Sequence, residues 1–239
     1  MGKITVTETE NRKNNLFYIQ SDLTELFALA ECVIDNRQVG NRAIMTIICP
    51  DKYEKTVREE ILDKLSEVIA VNYKYNFFKN SIHLTGLNET EKEILIASLI
   101  AADLDEDKKY TFEKIKNLKE SAIDGIFNFR LLPLKKKWED IVSYIPPCFI
   151  NSQLKDFISY LLENNRKKIY IDGGKVYDSH YKRLKRTALL GGEKVSLVRE
   201  VLLSNCGEIH MTGNVSEEDE YYLKEYYSNK IIFSDRYFN

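Results

Sequence analysis

The sequence predicts a mixed α+β protein with a helix-rich middle, a small N-terminal sheet and a small C-terminal α/β layer. Apolar residues in the middle of the chain recur at helical spacing, and residues 43–49 (AIMTIIC) form an apolar run of the kind found in strands. The last fifty residues alternate between helix-like and strand-like patterns. With 239 residues, 44% of them hydrophobic, the chain can bury a substantial core.

The N-terminal fifty residues combine strand-like runs with one short helix. The runs lie at residues 3–7, 16–19 and 43–49. Ser21 or Asp22 can cap a helix whose apolar face extends to Ile34. Residues 35–41, which include Gly40, are a predicted loop.

Two capping signatures open the helical middle. Asp51 with Glu54, and Asn88 with Glu91, have the spacing of a capping box. The first helix is amphipathic and should reach toward Asn80. The second is apolar almost all round, which is typical of a central, buried helix. A further helix is predicted over residues 110–122.

The most regular apolar pattern lies between residues 124 and 145. Six side chains keep a heptad spacing there: Phe127, Leu131, Leu134, Trp138, Ile141 and Ile145. The spacing places all six on one face of a core helix that bends around Pro133. Asn128 and Arg130 flank Phe129 on this helix, and we take them as candidate ligand-binding residues.

Pro146 and Pro147 form the sharpest break in the chain, because neither donates a backbone hydrogen bond and each restricts its predecessor. They predict a boundary between regions 1–146 and 147–239, which could still form one compact domain. Beyond the boundary, Ser152 caps a predicted helix that ends at Asn164 and Asn165.

Gly173 and Gly174 join two alternating runs and predict a tight type I′ hairpin. In that register Tyr170 faces Tyr177 across the hairpin, and the next pair of residues toward the turn is apolar. The remaining elements are a helix over 193–204, a strand over 208–212, a helix over 216–227 and a strand over 230–234. The last three form a βαβ unit, and its final strand is apolar enough to be covered on both faces.

Composition and charge narrow the class of protein. The net charge of −2 argues against a surface wholly dedicated to nucleic acid or anionic membrane. No apolar run approaches the length of a membrane span, and the N-terminus lacks the pattern of a secretion signal. The four cysteines form no CxxC pair, so we expect reduced thiols in a cytoplasmic protein.

The sequence contains no recognisable metal, cofactor or catalytic motif. The acidic run 103–107 resembles a calcium loop, but Lys108 and Lys114 occupy the positions that need Gly and Glu, so an acidic loop between helices is expected. Cys206 and His210 are separated by a turn, which favours a buried thiol and a strand-edge histidine over a nucleophilic pair. A non-enzymatic protein is favoured; an enzyme whose residues meet only in the folded chain stays open.

One basic cluster has aromatic neighbours and is the candidate nucleic-acid-binding region. Its residues are Arg166, Lys168, Tyr177, Tyr181, Lys182, Arg183, Lys185 and Arg186. Cations close to exposed rings can neutralise phosphates while bases stack. The alternative is a solvated basic face beside a Tyr170–Tyr177 cross-strand pair.

Three parts of the chain carry a family resemblance. They are FNFRL at residues 127–131, the apolar helix EILIASLIAADL, and the closing pattern made up of VREVLLSNCGEIHMTG and NKIIFSDR. In these segments the chain resembles the YtxC-like family, which is associated with sporulation in endospore-forming Firmicutes. The resemblance implies a sporulation-associated protein that acts through contacts with a protein partner or as a homodimer. It supplies no functional residue. The competing hypothesis is a nucleic-acid-binding module.

Overall fold

The computed structural model describes residues 1–118, 121–163, 165–192 and 194–233, and it confirms the mixed α+β class. The chain divides into two compact units. The first contains Met1–Lys74 and Asp105–Ile141, and the second contains Tyr75–Leu104 and the chain from Val142 onward. Within the described residues, no helix combines the length and apolarity that crossing a membrane requires.

Most of the elements follow one another through short connections. Up to residue 115 they are β1 (Gly2–Thr9), α1 (Asn14–Asp22), α2 (Thr24–Leu29), β2 (Val33–Val39), β3 (Arg42–Cys49), α3 (Asp51–Val68), α4 (Lys74–Ser81), α5 (Glu89–Ala102) and α6 (Leu104–Ile115). After it they are β4 (Ser121–Ala122), α7 (Ile123–Arg130), α8 (Leu132–Tyr144), α9 (Asn151–Leu162), β5 (Lys168–Asp172), β6 (Lys175–Tyr177), α10 (Ser196–Ser204), β7 (Glu208–Thr212), α11 (Glu217–Tyr227) and β8 (Ile231–Phe233).

The first unit is built on a sheet with the order β2-β3-β1-β4. Strands β1 and β3 pair antiparallel along their whole length, and β4 pairs parallel with β1. Ile4 and Val6 alternate with half-exposed or exposed neighbours, as do Met45 and Ile47 on β3, so one face of the sheet is buried. The predicted strands at 3–7 and 43–49 are confirmed.

Two N-terminal predictions were wrong. Residues 16–19 belong to helix α1, where Leu16 and Ile19, three residues apart, lie on one buried face. The next helix ends at Leu29, and residues 35–41 are mostly strand β2 instead of a loop. Strand β2 escaped recognition because it lies at the sheet edge, so solvent reaches most of its side chains and no buried alternation marks it.

Helices α3 and α4 form one helical run from Asp51 to Ser81, interrupted only by a π turn over Ile69–Tyr73. The predicted extension toward Asn80 is confirmed. Two consecutive residues at the end of the π turn donate hydrogen bonds to two buried carboxylates. Tyr73 donates its hydroxyl to Glu8 Oε2 at 2.8 Å, and Lys74 donates its ammonium to Asp107 Oδ2 at 2.7 Å.

Asp107 is a buried member of an ion cluster, not part of an acidic loop as expected. It lies in the first turn of α6 and is 1% exposed. Besides Lys74, it accepts hydrogen bonds from Trp138 Nε1 at 2.9 Å and from Lys137 Nζ at 2.7 Å. Three donors therefore offset the cost of removing this charge from water.

The predicted single bent helix is two helices, α7 and α8, which meet at Leu131. Pro133 occupies the second position of α8, where a missing N–H leaves no intrahelical bond unmade. The heptad residues Leu131, Leu134 and Trp138 are buried, while the other three are half-buried. Phe127 stacks on Trp138 with a centroid distance of 5.6 Å.

The predicted helix over 110–122 also differs from the structure. Its N-terminal part lies in α6, which ends at Ile115, whereas Ser121 and Ala122 form strand β4 beside β1. Residues 119 and 120 lie outside the described part of the chain.

Helix α5 lies in the second unit and is buried along Ile94–Ala101, as its apolar sequence predicts. The capping box is present: Asn88 Oδ1 accepts the N–H of Glu91, and the Glu91 carboxylate accepts the N–H of Asn88. Because α5 packs against α10 and α9, it belongs with the C-terminal elements despite its place in the sequence.

The second unit contains a sheet with the order β6-β5-β7-β8. The hairpin is confirmed: Gly173 and Gly174 both have positive φ, and Tyr170 lies opposite Tyr177. Strands β7 and β8 pair parallel through α11, as a βαβ unit requires, and the Ser216 side chain caps α11.

Some C-terminal bounds differ from the predictions. Helix α9 begins at Asn151, one residue before the predicted cap, and α10 begins at Ser196. Strand β8 is an edge strand whose last two residues are exposed, so it is not covered on both faces. Predicted ends at 164, 193 and 234 lie outside the described residues.

We predict that Lys74→Met lowers the free energy of unfolding by about 3 kcal/mol, because it removes the fully buried one of the two ammonium groups that pair with the Asp107 carboxylate. Urea unfolding at neutral pH measures this. The control is Lys136→Met on α8, whose ion pair with Asp140 is exposed and whose loss should leave the urea midpoint close to wild type. Equal effects of the two variants would contradict the importance of the buried pair.

A second prediction concerns pH. Arg42 donates to Asp124 Oδ2 at 2.7 Å, and this hydrogen bond lowers the pKa of Asp124. The stabilisation is therefore present above the unfolded-state pKa of about 4 and is lost as the pH falls through the folded-state value. Asp124→Asn should reduce the unfolding free energy by about 1 kcal/mol near neutral pH. The difference should shrink at about pH 3; a difference independent of pH would contradict this assignment.

Candidate nucleic-acid interface

The two faces of the C-terminal sheet are chemically distinct. One face is apolar and buried, and its side chains are Ile169, Ile171, Val176, Ile209 and Met211. The opposite face carries Tyr177, Tyr170, His210 and Ile232 side by side, because each is the register partner of the next across four strands. Rings from three strands are thereby brought into one line.

A tight loop places a further ring over this line. After β6 the chain reverses at residues 178–182, where the Asp178 carboxylate accepts the N–H groups of His180 and Lys182. Leu184 then donates its N–H to Val176 O, so the returning chain runs beside β6. Tyr181, at the tip of the loop, adopts a positive φ and stacks on Tyr170 with centroids 4.7 Å apart.

We call Tyr170, Tyr177, Tyr181 and His210 the aromatic row. The Tyr170 and His210 rings are 5.3 Å apart, and Tyr181 is the outermost ring, with 46% of its surface exposed. Strand pairing holds Tyr170, Tyr177 and His210 in place and the loop holds Tyr181, so the row is a preorganised group of rings.

Glu208 is a carboxylate beside the aromatic row that pairs with two neighbouring side chains. Its carboxylate pairs with Lys168 at 2.8 Å and contacts His210 Nε2. These two partners hold the pKa of Glu208 below its ordinary value. The Glu208 carboxylate beside His210 thus already has donor partners within the sheet.

The predicted basic residues fall into two groups. Arg166, Lys182 and Arg183 are exposed, whereas Lys168, Lys185 and Arg186 are half-buried. Arg186 has a structural contact, because its guanidinium donates to the carbonyl of Leu203 in α10 at 3.3 Å. Tyr177 and Tyr181, the two predicted rings, both belong to the aromatic row.

A cleft of about 370 Å³ lies at the hairpin edge of this sheet. Its polar lining consists mainly of Lys175, Arg183, Lys185, Thr187, Ser196 and Glu200. Arg183 is also the bridge partner of Tyr177, so it links the cleft to the aromatic row. The buried Glu200 carboxylate accepts the N–H groups of Arg186 and Thr187, and it thereby fixes one wall.

The other candidate residues lie elsewhere. Asn128 and Arg130 are exposed at the C-terminal end of α7, where Lys135 donates to Asn128 Oδ1 at 3.0 Å. Cys206 is fully buried, and burial raises its pKa to about 11, which opposes activation as a nucleophile. Among the residues that the structure describes, no group of three His, Cys, Asp or Glu side chains could hold a metal ion.

The sequence patterns did not predict the whole aromatic row. His210 was expected at a strand edge, but β7 lies inside the sheet and His210 stands beside Tyr170. Forty residues separate these two rings in sequence, and only the parallel pairing of β5 with β7 brings them together. The alternation of His210 with buried Ile209 and Met211 was the available signal.

Comparisons with known proteins give no further assignment. No family model matches this chain, and neither the curated proteins nor the solved structures include a significant match.

Proposed function

We propose that this protein binds single-stranded nucleic acid on the aromatic row of its C-terminal sheet. The observation that supports the proposal is the alignment of Tyr177, Tyr170 and His210 across three strands, with Tyr181 stacked on top. Every nucleobase has a π face, so a ring surface of this kind accepts bases with little sequence preference.

Exposed cations around the row can take the phosphates. Arg166 precedes β5, Lys182 lies in the loop that carries Tyr181, and Arg183 follows that loop, so positive charge is concentrated at the open end of the hairpin, opposite its Gly-Gly turn. Unstacked bases with accessible phosphates are a property of single strands, whereas the bases of a duplex already stack on each other. A surface of stacked rings therefore favours the single strand.

The overall charge of −2 is compatible with local binding, because the acidic groups near the row already have partners. Asp178 accepts two loop amides, Glu208 pairs with Lys168, and Asp172 accepts the Thr212 hydroxyl at 3.0 Å. Their repulsion of a phosphate is reduced by the donors they already hold.

We predict that Tyr181→Leu weakens binding of a fluorescent oligouridylate or oligothymidylate by roughly tenfold, because leucine packs on Tyr170 but has no π face for a base. Fluorescence anisotropy at low salt measures the affinity. The control is Tyr160→Leu, which alters an exposed tyrosine on α9 outside the row and should leave the affinity unchanged. No binding by the wild-type protein at low salt would overturn the proposal.

The charge contribution gives an independent prediction. Replacing Arg166, Lys182 and Arg183 together by Gln removes three exposed cations and should reduce the slope of log affinity against log salt by about 2. Replacing Lys3, Lys55 and Lys109, which are exposed cations of the first unit, changes net charge equally. If both triple variants reduced the slope alike, the effect would reflect overall charge and not this surface.

A further inference from the structure

Strand β2 forms an open edge of the first sheet. It contains seven residues, Val33–Val39, and pairs through one side with β3; in the described part of the chain, no strand pairs with its other side. Natural edge strands are commonly protected by charged side chains, above all Lys, or by Pro, a bulge or very short length. The sequence VIDNRQV contains neither Pro nor Lys, and its register with β3 is continuous.

The side chains of β2 are arranged symmetrically about Asn36. Val33 and Val39 lie three positions to either side of it, and Asp35 and Arg37 lie one position to either side. If two copies of this strand run antiparallel and centre on Asn36, Val33 of each copy faces Val39 of the other. Asp35 of each copy then faces Arg37 of the other.

We propose that β2 is a homodimer interface, in which two copies of this chain join their first sheets by antiparallel β2–β2 pairing centred on Asn36. A two-fold axis through Asn36 makes the contact isologous, so the same surface serves both copies and the assembly closes as a dimer. Unpaired N–H and C=O groups along the edge gain partners, as in other cases of strand addition.

The valine side chains that face each other in the proposed dimer are exposed in the isolated chain. Val33 and Val39 are 63% and 60% exposed, which is high for apolar residues placed at the two ends of one strand edge. Since side chains alternate along a strand, Val33, Asp35, Arg37 and Val39 share one face of the sheet. Pairing would cover the valines with each other.

The charges select a second copy over an unrelated strand. Within one chain, Arg37 and Asp35 form an exposed ion pair two residues apart. In the dimer these four charges alternate in sign along and across the two strands, so each carboxylate has two cationic neighbours. Opposite charges directly across a strand pair stabilise it, and like charges destabilise it. A shift of register by two residues would lose this match.

The expected dimer is weak. A strand pair of this length buries less surface than the roughly 1,200 Å² that stable protein–protein interfaces bury at minimum. A groove of about 220 Å³ beside β2, lined in part by Phe17, Asn36, Arg37 and Gln38, offers additional contact area. We therefore expect association of about micromolar affinity, observable in a concentration series.

Sedimentation velocity of the full chain over the micromolar range tests the proposal with three variants. Asp35→Arg places Arg opposite Arg37, and Arg37→Asp places Asp opposite Asp35, so each single change should raise the dimer dissociation constant by roughly tenfold or more. The double variant Asp35→Arg with Arg37→Asp exchanges the two signs and restores the match. It should return the dissociation constant to within about threefold of wild type.

The double variant separates dimerisation from folding, because rescue requires both altered chains to be folded and complementary. The urea midpoint of each variant, measured well below the wild-type dissociation constant, provides a second check, and it should stay near the wild-type value because both residues are exposed in the monomer. A wild-type chain that remains monomeric throughout, single variants that dimerise normally, or a folded double variant that remains monomeric would each overturn the proposal. Tyr181→Leu lies in the other unit and should leave the dissociation constant unchanged.

Discussion

The buried ion pair between Lys74 and Asp107 is the interaction on which the first unit depends. It joins the long helical run to α6, and Trp138 and Lys137 on α8 complete the hydrogen bonds of the same carboxylate. Because any other packing of these helices would leave a charge in the core without a partner, the pair restricts the unit to one arrangement more strongly than apolar contacts alone would. Phe127 on α7 stacks on Trp138, so the same cluster of side chains also positions α7.

A second buried carboxylate, Glu8, gives the sheet a comparable constraint. It accepts hydrogen bonds from Tyr73 and from Asn15 Nδ2 at 3.1 Å, so strand β1 is tied both to the long helical run and to α1. Burial, together with the negative charge of Glu8, raises the pKa of Tyr73, which keeps the hydroxyl a donor. The sheet and the helices of this unit are therefore held by polar contacts from two neighbouring residues, Tyr73 and Lys74.

Sequence patterns predicted those elements whose signals are local. The Gly173–Gly174 turn determined the hairpin register, and the Asn88 capping box located the start of α5. Strand β2 was missed because an edge exposed to solvent has no apolar alternation, and the burial of Asp107 was missed because its partners are remote in sequence. The basic cluster could be found from composition, but the aromatic row depends on strand pairing between distant segments.

The π turn over Ile69–Tyr73 is the part of the long helical run that holds one residue more than a regular α-helical turn. If one residue were removed there, the turn could close to α-helical geometry, and the helices before and after it would keep their relative orientation. Removing one residue from α3 instead would rotate the side chains that follow by about 100° around the helix axis and turn Lys74 away from Asp107. A change of chain length is therefore better tolerated in the π turn than in the α-helical turns before it, because the extra residue can be lost without changing the helix phase.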